Sequence, residues 1–502
     1  MSDTLESTQF ESPYFAAIDL GSNSFHLLVA RVKENGSGIE TVDREKQMVQ
    51  IARGLNDDGF LTEEAQERAL ICLHQFAERI RDIPISQIRA VGTKTLRAAH
   101  NSSLFLKSAE RVLGVKIQTI SGYEEARLVY AGLSNTITKS NQRLVIDIGG
   151  GSTEFIIGSG HTPIQLESLS MGCVAFSEQY KLYGKEINRI TMRNAYYAAC
   201  AELEEIRKNY LKTGWEIAYG TSGTMKAVGE ILSQEDGGAI ITKDSVNALA
   251  ETIIEEGAIH SDSIPPLRQD VLPAGIAIIQ AIFDQLKLET IHVADATLKE
   301  GLIFDTIGRF SERDIRQETV ETLITRHNVD IDQGNRVKDI ALALWQQIDP
   351  PILPGVARSK ILRWASMLHE IGLAISHSGY HHHGHYLIRY SDLAGFGRYE
   401  QYVLANLVRV HRKKLSEAKL EGLDNTAKQA FIPLAVCIRI AFLMCRRREP
   451  CDHTPKLRDI NGDYILTFDK QWLDDHPLTL AGLEQECNHF ENIGVKLSFE
   501  TH

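Results

Sequence analysis

Two short turns, each rich in glycine and hydroxyl side chains and each entered by an apolar run ending in aspartate, are the segments of this sequence best equipped for chemistry. The first is DLGSNS, residues 19–24. Gly21 tolerates dihedrals closed to other residues, and Ser22, Asn23 and Ser24 add short donors, so several backbone N–H groups can point at one anion. Taken alone, the segment reads equally well as a tight hairpin turn, for which Gly, Ser and Asn are also favoured. The second turn, DIGGGSTE at 147–154, sets Gly149, Gly150 and Gly151 ahead of Ser152 and Thr153. Three glycines in a row carry an entropic cost that a plain turn does not require, whereas close approach of the backbone to a ligand does. If the two segments face each other, Asp19 and Asp147 converge on one cleft, and their hard oxygens suit Mg2+ with its retained waters. Glu154, seven residues beyond Asp147, can return as a further ligand.

A third element, IAYGTSGTMKA, leaves a strand at Tyr219 and enters a helix near Met225. Its Ser222, Gly223 and Thr224 would offer helix N-terminal amides to an anion; without a ligand, Ser222 or Thr224 is a plain helix N-cap. In SGYEEARL, Glu124 and Glu125 occupy the first turn of a helix, with Arg127 close by. The helix macrodipole favours acidic residues there in any protein, yet one such carboxylate could orient a water for attack on phosphorus. Spacing does not choose between the two glutamates.

These turns need rigid elements behind them, and the apolar spacing supplies those. A β-hairpin sheet opens the chain. Between Thr62 and Ile83 the helical period takes over, with Ala65, Ala69, Leu73, Phe76 and Ile80 on one face. Strand 88–92, helix 102–113, strand 116–120 and a helix beginning near Glu124 continue the rhythm of an α/β layered domain. Around Asn141 the opening pattern restarts, so that Asp147 is to the second half what Asp19 is to the first, 147 − 19 = 128 residues apart. That is about one domain length. From about Asp314 helical segments dominate, and the end reads as strand, helix, strand. The expected organisation is a loose tail at 1–12, α/β lobes at 13–135 and 136–310, a helical domain at 311–454 and a small α+β appendage at 455–502.

At 502 residues the chain exceeds one hydrophobic core. A net charge of −12 argues against a nonspecific nucleic-acid binder, which needs many Lys and Arg contacts to phosphate, so any polyanion must meet a local basic surface. The N-terminus lacks the basic start and apolar core of a secretory signal, and no later run reads as long enough to span a bilayer; a cytoplasmic protein is expected. The seven cysteines are scattered without C-x-x-C pairs and are expected to be buried, reduced thiols.

The motifs AAIDLGSNSFHLLVARV, VGTKTLRAA, ISGYEEARLVYAG, LVIDIGGGSTEFIIG, SMGCV, YGTSGT, LPAGIAIIQAIFDQL and DATLKEGLI occur in this order over roughly the first 300 residues. Together they resemble the exopolyphosphatase and guanosine pentaphosphate phosphohydrolase family of the actin, sugar-kinase and chaperone ATPase superfamily. The resemblance implies two ribonuclease-H-like lobes around a cleft, with Glu125 the catalytic base. It implies that Asp147 and Glu154 help hold Mg2+, and that Arg97 and the turns at 21–24, 149–153 and 222–224 grip phosphates. A homodimer is implied by the same likeness. Peripheral association with the inner face of the cell membrane stays open.

The C-terminal region resembles the helical domain of the long family members, related to HD-type phosphohydrolases. It departs from a working metal site: Glu370 follows His369 where aspartate is expected, and Phe442 occupies the place of the late aspartate. The histidine run at 377–385 offers imidazoles to a transition metal, though packing or exposed histidines are the default expectation. Arg409, Arg412 and Lys413 are candidates to line a polyphosphate channel, against the ordinary reading of a solvated basic face. No segment resembles the acceptor motifs of the related kinases. The segments HSGYHHHGHYLIRYSDLAGF and LVRVHRKK resemble exopolyphosphatases more than pentaphosphatases of this length, so the sequence reading favours processive hydrolysis of terminal phosphate from inorganic polyphosphate, with guanosine pentaphosphate as the alternative substrate and a nonenzymatic polyphosphate or nucleotide sensor ranked below both.

Overall fold

The computed structural model describes residues 10–33, 38–137, 141–232, 240–259, 261, 263–310, 314–349, 356–451 and 453–502, and falls into two compact units that divide between Asp314 and Ile315. Of the expected tail, residues 1–9 lie outside the described residues. Phe10 packs edge-on against Phe15 and Phe310, and the Ser12 N–H donates to the Gln87 side chain, so the end of that stretch is tied down.

The first unit holds two sheets built on one plan. In the first, β1 (Tyr14–Leu20), β2 (Phe25–Val32) and β3 (Ile39–Gln47) form an antiparallel meander, and β4 (Ile88–Gly92) and β5 (Ile117–Thr119) add parallel to β1, giving the order β3-β2-β1-β4-β5. The second repeats this with β6 (Gln142–Ile148), β7 (Thr153–Ser159) and β8 (Thr162–Leu169), then β9 (Ile217–Thr221), β10 (Ile240–Thr242) and β11 (Thr290–Val293), in the order β10-β11-β9-β6-β7-β8. Asp19 and Asp147 are each the penultimate residue of a central strand, one opposite His26 on β2 and the other opposite Glu154 on β7. The duplication legible in sequence is thus a duplication of strand register, and it delivers both aspartates to equivalent sheet ends.

Amphipathic helices cover the outer faces. The Glu63–Ile80 helix starts where the Thr62 side chain accepts from the Ala65 N–H, and it buries Ala65, Ala69, Leu73, Phe76 and Ile80, the stripe read from the sequence. Between the two sheets lies a core made by a crossed pair of helices, Gly122–Thr136 and Leu298–Arg309. Each packs on the sheet of the other half: Gly122–Thr136 lies against β7 and β8, Leu298–Arg309 against β1 and β2. The backbones touch, because a Cβ on Gly132 would come 2.4 Å from the Thr297 carbonyl oxygen and one on Gly301 would overlap the Leu128 carbonyl.

The second unit packs the helices Ile315–Arg326, Ile331–Trp345, Arg358–Leu368, Tyr380–Tyr390, Arg398–Val410 and Asn425–Met444 around one core. The three-stranded sheet formed by β12 (Lys456–Ile460), β13 (Asp463–Phe468) and β14 (Leu497–Thr501) joins that same core through Leu457, Leu466, Phe468 and Leu497, so the terminal strands and the helices share one interior. Asn425–Met444 is long and apolar enough by composition to cross a membrane, with a mean hydropathy of 1.6, contrary to the expectation that no run was; 78% of that window is buried inside the unit.

Candidate active site

The three turns meet at one cleft of about 230 Å³ in the first unit. The 21–24 turn joins β1 to β2, and the 149–152 turn joins β6 to β7. They abut directly: a Cβ on Gly150 would lie 3.2 Å from the Ser22 Cβ, and one on Gly151 would lie 3.3 Å from the Ser22 Oγ. None of Gly21, Gly149, Gly150 and Gly151 has a left-handed φ. The expected use of unusual dihedrals at Gly21 is therefore replaced by close packing, since its Cβ would sit 2.9 Å from the Ser24 carbonyl oxygen. Lys94 Nζ donates to the Gly151 carbonyl at 2.8 Å and the Thr95 hydroxyl to Ser22 Oγ at 2.7 Å, which clamps the two turns together. Asn23 Oδ1 and Ser24 Oγ are left buried without a partner. Buried polar atoms are rarely left so unless a ligand or water completes them.

The third turn carries backbone strain. Ser222, a non-glycine residue at φ 87°, makes the change from β9 to the Ser222–Leu232 helix. Such conformations cluster at ligand clamps, where the surroundings enforce them. The preceding Thr221 hydroxyl donates to Asp147 Oδ1 at 2.8 Å, and the Arg268 guanidinium occupies the space a Gly223 side chain would need.

Geometry separates the two glutamates. Glu124 is fully buried and gripped by Arg127, whose Nε and Nη2 donate to its two oxygens at 2.7 and 2.8 Å. Glu125, one residue on, lines the cleft, with Oε2 unpartnered and Arg97 Nη1 3.9 Å away. Arg97 itself donates to the Ile120 carbonyl at 2.6 Å, so it stands beside Glu125. Glu154 is buried and accepts from the Ser168 hydroxyl at 2.8 Å. Thr153, expected on phosphate, is fully buried and donates its hydroxyl to the Met171 carbonyl; of the 149–153 turn, residues 149–152 line the cleft.

Four carboxylates thus crowd one region, Asp19, Glu125 and Asp147 along the cleft and Glu154 buried opposite Asp147. Burial pushes Asp19 up to about 7, with Lys299 opposing and Asp147 adding to the rise. Burial, reinforced by Asp147, lifts Glu154 to about 7 as well. Asp147 is raised by burial against the Thr221 hydrogen bond, and Glu125 is held well above the carboxylate range by burial and then by Glu154. Neighbouring like charges resist joint ionisation unless a cation arrives. Asp19 Oδ1 has no partner. Among the described residues no three His, Cys, Asp or Glu side chains form a preformed metal cage. Hard oxygens in this arrangement fit a divalent cation bound through one or two carboxylates together with water and substrate phosphate.

Sequence reasoning missed the positive side of the cleft. Arg44, Lys46, Lys226, Arg268 and Lys299 line it too. Lys226 is paired with Asp295 at 2.8 Å and Arg44 with Glu300 at 3.2 Å, but no ion pair to Lys46 or Arg268 is present among the described residues, although only 8% of Arg268 is exposed. Burial, and then Arg268, Lys226 and Lys299, bring Lys46 down to about 8. For Arg268, buried charge without a counter-charge is costly, and an anion in the cleft relieves it. The alternation of Arg44 and Lys46 on β3 was the available signal, since both side chains must project to one face.

In the second unit, the place of the HD-type site is filled differently. His369 and His411 donate Nδ1–H to the Ser366 and Val408 carbonyls, Phe442 packs on both rings, and Glu370 pairs with Arg448. Of the histidine run, His381, His382, His383 and His385 lie in the first half of the Tyr380–Tyr390 helix and His377 precedes it. Arg412 lies over the Tyr380 ring at 4.5 Å, Arg409 is half-buried, and Lys413 is exposed with its carbonyl accepting from Arg439.

Two ribonuclease-H-like lobes, with three turns and a group of carboxylates gathered at one cleft, are the fold and site of a phosphohydrolase family. Residues 28–310 match the Ppx/GppA phosphatase family and residues 315–487 its domain III. The chain belongs to the Ppx/GppA phosphatase family. The guanosine-5'-triphosphate,3'-diphosphate pyrophosphatase of Vibrio atlanticus (strain LGP32) is 36% identical over 494 residues, covering 97% of this chain and 98% of the relative. The protein of that name from Pseudoalteromonas translucida (strain TAC 125) is 35% identical over 494 residues, with 96% and 97% covered. Among solved structures, an exopolyphosphatase from Cytophaga hutchinsonii shares the fold with a TM-score of 0.54 at 22% identity, over 59% of this chain and 98% of that one.

Proposed function

We propose that the cleft hydrolyses the terminal phosphoanhydride of a polyphosphorylated substrate, with Mg2+ as the divalent cation and Glu125 as the base. The observation that carries this is the unpartnered, buried Glu125 carboxylate oxygen in a cleft it shares with the anion-holding turns. The backbone amides of residues 21–24, 149–152 and 222–224 hold the terminal phosphate, while Arg268 and Lys46 neutralise the phosphates behind it. Glu125 takes a proton from a water positioned opposite the leaving oxygen. The water oxygen bonds to phosphorus as the bridging P–O bond breaks, and the leaving phosphate departs with the electron pair. Burial, and then Glu154, hold Glu125 above the usual carboxylate range, which makes it a stronger base than an exposed carboxylate. Mg2+, held by Asp19, Asp147 and Glu154, would neutralise charge building on the phosphate oxygens.

Guanosine pentaphosphate is the proposed substrate. Its support is the name borne by relatives 36% identical along nearly their whole length, which moves the preference away from inorganic polyphosphate. The motifs HSGYHHHGHYLIRYSDLAGF and LVRVHRKK keep polyphosphate as the second reading, with Arg409, Arg412 and Lys413 as its proposed path. We further propose a cytoplasmic homodimer. Phosphate release measured side by side on guanosine pentaphosphate and on long polyphosphate, with Mg2+, tests the choice: at least tenfold higher kcat/KM on the nucleotide is expected, and the reverse order would restore polyphosphate.

A further inference from the structure

Behind the cleft lies a web of buried charge that the chemistry above does not use. Asp305, on the Leu298–Arg309 helix, has a side chain only 3% exposed and accepts from three arginines: Arg89 on β4, Arg127 on the Gly122–Thr136 helix, and Arg309 on its own helix. Arg127 spends the rest of its fork on Glu124, the neighbour of Glu125, and Arg89 lies 3.9 Å from the same Glu124. Two carboxylates and three guanidinium groups therefore join one sheet and both crossed helices. The backbone contact at Gly132 and Gly301 leaves those helices no room to slide.

Glu125 has no comparable restraint. Its Oε2 is unpartnered and Arg97 stands 3.9 Å off. What fixes its direction is the helix turn beneath it, and that turn is tethered by Glu124 through Arg127 to Asp305. The Asp305 helix begins with Leu298 and Lys299, which line the cleft. A single rigid helix thus carries a cleft-lining lysine at one end and, about a turn and a half on, the anchor of the base.

We infer that Asp305 is a positioning residue for Glu125, acting through Arg127 and Glu124 to hold the base at its attack distance while the helix it belongs to presents Lys299 to the substrate. The inference rests on the role proposed for Glu125. A bidentate arginine couples direction as well as charge, and displacement of a reacting group by about 1 Å costs up to about 100-fold in rate.

The test uses the full chain with Mg2+ and guanosine pentaphosphate or polyphosphate, whichever is turned over faster. Asp305→Asn keeps the shape and loses the charge. It is expected to lower kcat by roughly 10- to 100-fold with KM within about twofold. Leu286→Ala, a cavity in the core of the second sheet, is the control for stability alone and should leave kcat per folded molecule unchanged. Arg127→Lys retains the positive charge but not the two-point hold on Glu124; it should reproduce the loss in kcat, and it serves as the test if Asp305→Asn does not fold. Wild-type kcat in Asp305→Asn or in Arg127→Lys, or losses in kcat and KM that track melting temperature as in Leu286→Ala, would overturn the inference while Glu125→Gln stays inactive. Full activity in Glu125→Gln would overturn the base assignment and the inference with it.

Discussion

The carboxylates of the cleft and the imidazoles of the second unit are both buried titratable clusters with atoms left unpartnered, yet they mean different things. Asp19, Glu125 and Asp147 line one cleft with Arg268 and Lys46, two cations without an ion pair among the described residues, and Glu154 is buried opposite Asp147 on the neighbouring strand. His369 and His411 are pushed down by burial, so they sit neutral, each tied to a backbone carbonyl and sealed by Phe442. A neutral ring can pay its desolvation with one hydrogen bond, whereas an ionised carboxylate cluster cannot. Unmatched charge of both signs around one open space marks a ligand site; unmatched neutral nitrogen marks a core.

Removing divalent metal gives the widest separation of the two regions. Chelation should abolish phosphate release, by roughly a thousandfold or more, and added Mg2+ should restore it, whereas the melting behaviour of the second unit should be indifferent. Release that survives chelation would set the cleft beside the histidine core as mere structure. Next in size, Arg268→Gln and Lys46→Gln should each raise KM by about tenfold with a smaller change in kcat, because they bind phosphates that do not react. Steady-state kinetics on both substrates checks this.

Protonation sharpens the contrast further. Asp19 and Glu154 bind protons in the folded, metal-free protein up to about pH 7, while an unfolded carboxylate releases them near pH 4. Their contribution to stability is therefore complete below about pH 4 and is lost as pH rises toward 7 and beyond. Metal-free protein should melt roughly 3–6 °C lower at pH 8 than at pH 5, and Asp19→Asn should flatten that slope. The smallest effect belongs to the histidine core: His411→Phe should change stability by about 1–2 kcal/mol at most and leave phosphate release within about twofold. A larger loss of turnover would give that cluster a functional role.

Much of the cleft was legible because chemistry there is written in short contiguous motifs. The Asp19 and Asp147 turns, the strained turn at Ser222 and the pair Glu124–Glu125 could all be placed, and the 128-residue repeat foretold matching sheets. The choice of Glu125 over Glu124 was not legible from spacing, since it depends on Arg127 and on Asp305, 178 residues further along than Arg127. The cations were missed for the same reason: Lys46, Lys226, Arg268 and Lys299 come from four separate segments and look like ordinary surface charge in sequence. Nor could spacing reveal that the Gly122–Thr136 and Leu298–Arg309 helices exchange sheets, because both glycines of their crossing are isolated.

The central claim is that Glu125 activates water between facing anion turns. Its most direct test is phosphate release by Glu125→Gln beside wild type, with Mg2+, and substrate binding measured on the same preparations. The account predicts turnover lowered by roughly 100- to 10,000-fold with binding affinity within about threefold. Turnover near that of wild type would contradict it.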